Sequence, residues 1–305
     1  CALPISLLLT SVMTMSALGT ACSSGNATAQ STAQTQTESQ AQTESAQVSA
    51  NETDVVADGQ QTPKYVFLFI GDGMSYPQIQ LTNYFVSANN NASGTPETVT
   101  VDGEDQTVLA SQNNLAMMNF PVSGSAQTYD STSFAPDSAS TATSIATGNK
   151  TWSGSINVST DFTQEYETIA EKLKAQKDYK IGIISSVNLN HATPAAFYAH
   201  QASRNSYYEI GLELIESEFD YFAGGALLSP TGSEEDQTDL YQLAEEAGYK
   251  VVTTQADAEA LTPEDGKAIV IEEHLADSDA LPYDMDLEEG QWALADYVEK
   301  GIEML

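Results

Sequence analysis

Three short stretches of this chain carry side chains whose types and spacing suit chemistry on an anion. The first is Ile70-Gly71-Asp72-Gly73-Met74, one carboxylate between two glycines. Glycine on either side lets the backbone turn sharply at a strand end and leaves Asp72 projecting over the sheet edge, a placement that suits a divalent cation. Asp-Gly is also ordinary turn chemistry, so an exposed turn aspartate accounts for the same residues. The second stretch is Pro136-Asp137-Ser138-Ala139-Ser140-Thr141-Ala142-Thr143, with small residues continuing to Thr147 and then Gly148. It predicts a short helix with Gly148 at its C-terminus and Asp137 and Ser138 at its N-terminal end. A hydroxyl there meets free backbone N–H groups and the positive end of the helix dipole, which favours a phosphoryl group. A plain N-cap explains Asp137 or Ser138, but not the run of tiny side chains behind them, which lets the helix pack close to a sheet or a ligand.

The third stretch is His191-Ala192-Thr193-Pro194-Ala195-Ala196, followed by His200 and Arg204. An extended segment before Pro194 would turn His191 and Thr193 to one side. On a helix, a spacing of four would put His200 and Arg204 on one face. Arg204 is the only arginine in the chain. Its planar fork matches two phosphate oxygens as lysine cannot, although an arginine paired with one of many surface carboxylates reads the same way. His200 reads as a packed or hydrogen-bonded structural histidine.

These side chains act together only if the fold gathers them. Tyr65 to Ile70 is a short apolar run of β-formers that predicts a strand buried on both faces. Helical spacing over Glu165 to Lys177 is followed by a strand at Ile181 to Val187, a helix at Glu209 to Glu218 and a short strand at Tyr221 to Ala223 before Gly224-Gly225. A helix near Leu240 to Ala247, strands at Lys250 to Thr253 and Ala268 to Ile271, and a closing helix from Gln291 to Met304 complete the series. This alternation predicts an α/β fold with a mostly parallel central sheet and helices on both faces. Residues 87 to 113 interrupt it and read as a surface excursion. In such a sheet, function collects where strands end and helices begin, which is where the three stretches fall.

The 305 residues include 10 Lys plus Arg against 43 Asp plus Glu, a formal charge of -33. So acidic a chain lacks the basic residues that release counterions from a phosphate backbone, so no nucleic-acid binding is expected, nor adhesion to an anionic lipid surface. At 41% hydrophobic the chain can still bury a core. Residues 1–22 read as a signal peptide remnant, mostly apolar or small, meeting Cys22 through the lipobox-like Leu18-Gly19-Thr20-Ala21. Residues 23–62 are a polar tether without aromatic, Lys or Arg residues. Residues 63–305 are left for one catalytic domain. The expected location is therefore extracytoplasmic, in a bacterial envelope or secreted, with membrane contact only through lipid on Cys22. The two cysteines, Cys1 and Cys22, lie in or at the edge of the signal, so no disulfide is expected in the mature fold.

The combination resembles the alkaline phosphatase family. The resemblance rests on Tyr-Val-Phe-Leu-Phe-Ile-Gly-Asp-Gly-Met at 65 to 74, Asp-Ser-Ala-Ser-Thr-Ala-Thr at 137 to 143 with Gly148-Asn149-Lys150-Thr151 after it, and His-Ala-Thr-Pro-Ala-Ala at 191 to 196 with Arg204. It implies hydrolysis of phosphate monoesters by two in-line displacements, with two zinc ions and one magnesium. Asp72 would then bridge a zinc and the magnesium, Thr193 would bind the magnesium through its hydroxyl, and His191 would act near this third metal through water. Ser138 would become phosphoseryl, and Arg204 would clamp the phosphate with Asp137 orienting its guanidinium. No Gly-x-Ser-x-Gly elbow surrounds Ser138, which argues against an esterase triad.

Two zincs need further His, Asp and Glu ligands, and the chain holds only His191, His200 and His274 as histidines. The resemblance implies that those ligands lie in a downstream segment. The sequence is accordingly expected to be truncated at both ends, and the fragment alone to be inactive or nearly so. Two other readings remain: a lipid-anchored phosphate- or solute-binding protein without catalysis, and a phosphodiesterase or mutase on the same core. The natural ester and the oligomeric state, a homodimer included, stay open.

Overall fold

The computed structural model describes residues 63–93, 98–107 and 115–305. The expected signal and tether, with both cysteines, lie outside the described residues. The chain divides into a unit ending at Val66 and a second from Phe67 to Leu305. Of the first, residues 63–66 are described, with the Lys64 ammonium 4.9 Å from the centre of the Tyr65 ring.

The second unit opens with helix α1 (Tyr76–Ser93), then a hairpin of β1 (Thr98–Val101) and β2 (Glu104–Thr107). Asp102 and Gly103 both take positive φ, as a two-residue turn that follows the strand twist requires. There follow α2 (Ser138–Thr147), α3 (Ile169–Lys177), β3 (Gly182–Asn188), α4 (Ala192–Ala195), α5 (Tyr207–Glu216) and β4 (Tyr221–Gly225). The chain continues through α6 (Leu240–Glu246), β5 (Lys250–Val252), α7 (Gln255–Ala260), β6 (Ala268–Ile271) and α8 (Leu294–Met304). Among the described residues no helix is long and apolar enough to cross a membrane.

The main sheet is four-stranded and wholly parallel, in the order β3-β4-β6-β5. Its inner strands β4 and β6 are buried along their length, because both faces are covered. Successive side chains alternate between those faces. Phe222 and Ile269 point into a core with Ile210 and Leu214 of α5 and Leu240 and Ala244 of α6. Tyr221, Ala223, Ala268 and Val270 point the other way, against Ala258 of α7 and Tyr297 and Met304 of α8. Helix α8 comes close because residue 301 is glycine; a Cβ there would lie 2.9 Å from Tyr221 Cε1.

The sheet and its helices agree with the alternating pattern in the sequence, within a few residues at the ends. Tyr65 to Ile70 does not. It is extended but belongs to no strand, and its exposure runs from 36% at Ile70 to 75% at Phe69. A run of β-formers becomes a strand only when a neighbour supplies the hydrogen-bond ladder, and no strand lies beside this one among the described residues. The excursion at 87 to 113 also holds more order than composition suggested, namely the end of α1 and the hairpin.

Candidate active site

Helix α2 presents the hydroxyl of Ser138 at its first position. Asp137 is the N-cap, extended at φ -93 and ψ 176, and its side chain accepts a hydrogen bond from the Ser140 N–H. At the other end Gly148 takes φ 76, the left-handed conformation that closes the helix through the Gly148 N–H to Ser144 carbonyl bond. The small side chains explain the helix's position. Ala139, Ala142 and Ala146 share a core with Ala192 and Ala195, so α2 packs closely against α4.

Helix α4 begins where β3 ends, at the carboxyl edge of the sheet. His191 caps it in extended conformation, and Thr193 lies inside its first turn. Thr193 is therefore helical, not extended as its place before Pro194 predicted. Proline is tolerated in a first helical turn, whose N–H groups lack helical partners anyway. The Thr193 hydroxyl donates to Asp72 Oδ2 at 2.8 Å. Asp72 is exposed, in the turn before α1.

Arg204 closes the group. Its Nη1 donates to Asp137 Oδ2 at 2.9 Å, and its Nη2 to His191 Nε2 at 3.2 Å. An arginine can only donate, so the His191 Nε2 here accepts. The other ring nitrogen, Nδ1, is buried and has no hydrogen-bond partner among the described residues. Burial, and next the Arg204 charge, push the imidazole below its ordinary pKa, against a smaller upward pull from Asp72. Burial alone would raise the Asp137 carboxyl. Hydrogen bonds from the Gly154 N–H, from the Ser140 N–H and hydroxyl, and from Arg204 outweigh it and hold Asp137 below the usual carboxylate range.

Asp72, Thr193, His191, Arg204 and Asp137 are thus gathered, and Ser138 follows Asp137 directly. Ser138 is half-buried, and its hydroxyl has no hydrogen-bond partner among the described residues. His200 does not share a face with Arg204, since residues 200 to 205 are not helical. Its ring lies between Glu171 and Glu213, 3.6 Å from each. Burial alone would lower its pKa, but the two carboxylates raise it to about 10. His274 is exposed, and its backbone N–H donates to Glu272.

Sequence reasoning passed over Asp130. This carboxylate is 5% exposed and lies beneath the start of α2. Burial would raise its pKa, yet hydrogen bonds from Ser153, Thr132 and Ser140 bring it down to about 2. The signal that could have found it is Asp130-Ser131-Thr132-Ser133, an Asx-turn pattern in which the carboxylate takes the N–H groups two and three residues on.

Asp72 and Thr193 offer a carboxylate and a hydroxyl oxygen side by side, hard donors that fit two positions of a magnesium shell. Zinc is different. Among the described residues no group of three or more His, Cys, Asp or Glu side chains is arranged to hold a metal ion, so they do not form a complete zinc site.

The fold is the α/β fold of alkaline phosphatases. Alkaline phosphatase from the Antarctic bacterium TAB5 superposes with a TM-score of 0.55 at 28% identity, covering 77% of this chain and 58% of that one. A variant of the TAB5 enzyme with magnesium bound in its M3 site gives a TM-score of 0.50 at 29% identity, over 59% of this chain and 49% of that one. The alkaline phosphatase family model matches residues 63–305, and the chain belongs to that family. It is 27% identical over 258 residues to alkaline phosphatase of Schizosaccharomyces pombe, an alignment covering 80% of this chain and 44% of the relative. The tissue-nonspecific isozyme from Gallus gallus is 29% identical over 167 residues, covering 52% and 29% of the two chains. The chain thus spans less than half the length of these relatives.

Proposed function

We propose that the whole protein hydrolyses phosphate monoesters, with Ser138 as the nucleophile. The observation that carries this reading is the Arg204 guanidinium, held between Asp137 and His191 next to the start of the helix that bears Ser138. A phosphoryl group there would meet a fixed cation and a helix N-terminus. Asp137 takes the Ser140 N–H and, through its carbonyl, the Thr141 N–H, which leaves the Ser138 and Ala139 N–H groups free among the described residues. Asp137 and His191 each take one N–H of the guanidinium, and its other N–H groups are left for phosphate oxygens. The serine hydroxyl gives its proton to solvent as its oxygen attacks phosphorus, the bond to the ester oxygen breaks and the alcohol leaves with a proton from solvent, and water then cleaves the phosphoserine to phosphate and the serine hydroxyl.

Family membership implies metal cofactors, and we assign two zinc ions and one magnesium. Asp72 and Thr193 would hold the magnesium, with His191 beside it. Bound metal would supply positive charge that favours the deprotonated serine and the leaving oxygen. The substrates are small phosphate monoesters. The protein is exported and tethered by lipid on Cys22; mass spectrometry finding an unmodified Cys22 in the mature protein would contradict the tether.

The activity is tested by assaying the full-length, zinc- and magnesium-loaded protein on an aryl phosphate, with Ser138→Ala alongside. Turnover in the first and its loss in the second are expected. Ligand capture without turnover would instead favour a solute-binding protein.

A further inference from the structure

Asp130 has no place in the reaction above, yet few carboxylates in the described structure are so completely engaged. Its Oδ1 accepts from the Thr132 N–H at 2.7 Å, the Thr132 hydroxyl at 3.0 Å and the Ser133 N–H at 2.6 Å. Its Oδ2 accepts from the Ser140 hydroxyl at 3.0 Å and from the Ser153 hydroxyl. The last two partners matter because each also leads to Asp137. Ser140 is fully buried, and its hydroxyl lies 2.8 Å from Asp137 Oδ1. Residue 154, next to Ser153, donates its N–H to the same Asp137 oxygen at 3.0 Å. The contacts close a ring: Asp130, Ser140, Asp137, Gly154, Ser153 and back to Asp130.

The ring reaches Arg204 twice. Gly154 receives the Arg204 backbone N–H on its carbonyl at 2.7 Å, and Asp137 receives the guanidinium on Oδ2. One residue, Gly154, therefore holds the main chain of the arginine through its carbonyl and the carboxylate that aims its side chain through its N–H. We propose that Asp130 is a positioning residue for phosphate recognition, acting through Ser140 and the Ser153-Gly154 turn on the Asp137–Arg204 pair. The inference rests on the phosphatase reading above.

The chemistry of the ring makes the charge of Asp130 useful. Ser140 has one hydroxyl proton and two carboxylates within reach. A buried carboxylate left without its donors is costly, so the side chains around Asp130 are held in one arrangement and cannot relax independently. Asparagine at 130 could keep that arrangement. Its oxygen would accept from Thr132 and Ser133, and its amide would donate to Ser140, freeing the Ser140 proton for Asp137. Alanine could not.

The test is a double-mutant cycle read by titrating inorganic phosphate into the full-length, metal-loaded protein in a calorimeter. Asp130→Ala is expected to weaken phosphate binding by about tenfold, and by less than about twofold when Arg204 is already alanine. Asp130→Asn should restore binding to within about threefold of the parent. Unchanged affinity in Asp130→Ala, or an equal loss with and without Arg204, overturns the assignment. If Asp130→Ala does not fold, Ser153→Ala cuts a single contact of the ring and is held to the same criterion, a loss of phosphate affinity that vanishes in the Arg204→Ala background. A parent protein that neither binds phosphate nor turns over an ester contradicts the phosphatase reading and takes this inference with it. A parent that binds phosphate and turns over the ester, with Asp130 variants that fail the criteria above, contradicts the inference alone.

Discussion

At the residue scale, Arg204 is the side chain whose surroundings say most about its use. Its partners are a carboxylate, Asp137, and a histidine nitrogen, His191 Nε2, on either side of the fork. Lysine would keep the charge but lose this two-sided hold. We therefore expect Arg204→Lys to weaken inorganic phosphate binding by about tenfold, measured by competitive inhibition of aryl phosphate hydrolysis in the full-length protein. His200 offers a second residue-level test, on stability. Its folded pKa of about 10 stands above the ordinary 6.5 because Glu171 and Glu213 overcome burial. A pKa raised on folding contributes stability that is complete below the unfolded value and is lost as pH rises through the folded one. The urea midpoint should thus fall between about pH 6.5 and about pH 10, and His200→Gln should flatten that part of the curve. A parent profile that is level over this range would contradict the ion-pair assignment.

At the scale of elements, helix α2 does two jobs with one sequence. Its alanines let it lie against α4, and that closeness places Ser138 and His191 at the same end of the sheet. Ala139 is fully buried, so Ala139→Leu has no space to occupy and should destabilise the protein by about 1–3 kcal/mol in chemical denaturation. The helices and strands around this pair were legible, because their apolar residues recur at the right periods and their ends carry caps such as Thr168 and Glu171 on α3. Helix α1 was missed because large apolar residues such as Leu81 and Phe85 lie on its exposed surface, while the stripe turned inward, Ile79, Asn83, Val86 and Ser87, is half polar. Its start was signalled all the same by Ser75-Tyr76-Pro77-Gln78, where the Ser75 N–H bonds the Gln78 side chain. The hairpin had its own signal in Asp102-Gly103. Tyr65 to Ile70 failed for the opposite reason: its local pattern is strong, but pairing is a property of two segments, and periodicity sees one. The same limit hid Asp130, whose partners at Ser140 and Ser153 lie outside its own turn.

At the scale of the molecule, the chain carries a formal charge of -33 while the proposed substrate is an anion. The repulsion acts at long range and is screened by salt, whereas Arg204 and the α2 terminus act within hydrogen-bonding distance. Raising salt should therefore raise the thermal midpoint and should not depress catalytic efficiency up to about molar concentration. Efficiency that falls steadily with salt would mean that attraction at a distance, and not local contact, brings the substrate in. All these scales meet in the claim that Ser138 takes the phosphoryl group. It is tested most directly by acid-quenching the full-length, metal-loaded protein with radiolabelled phosphate and mapping the label. Phosphate is expected on the peptide containing Ser138 and is expected to be absent in Ser138→Ala. Turnover without label at Ser138, or label on another residue, would contradict that claim.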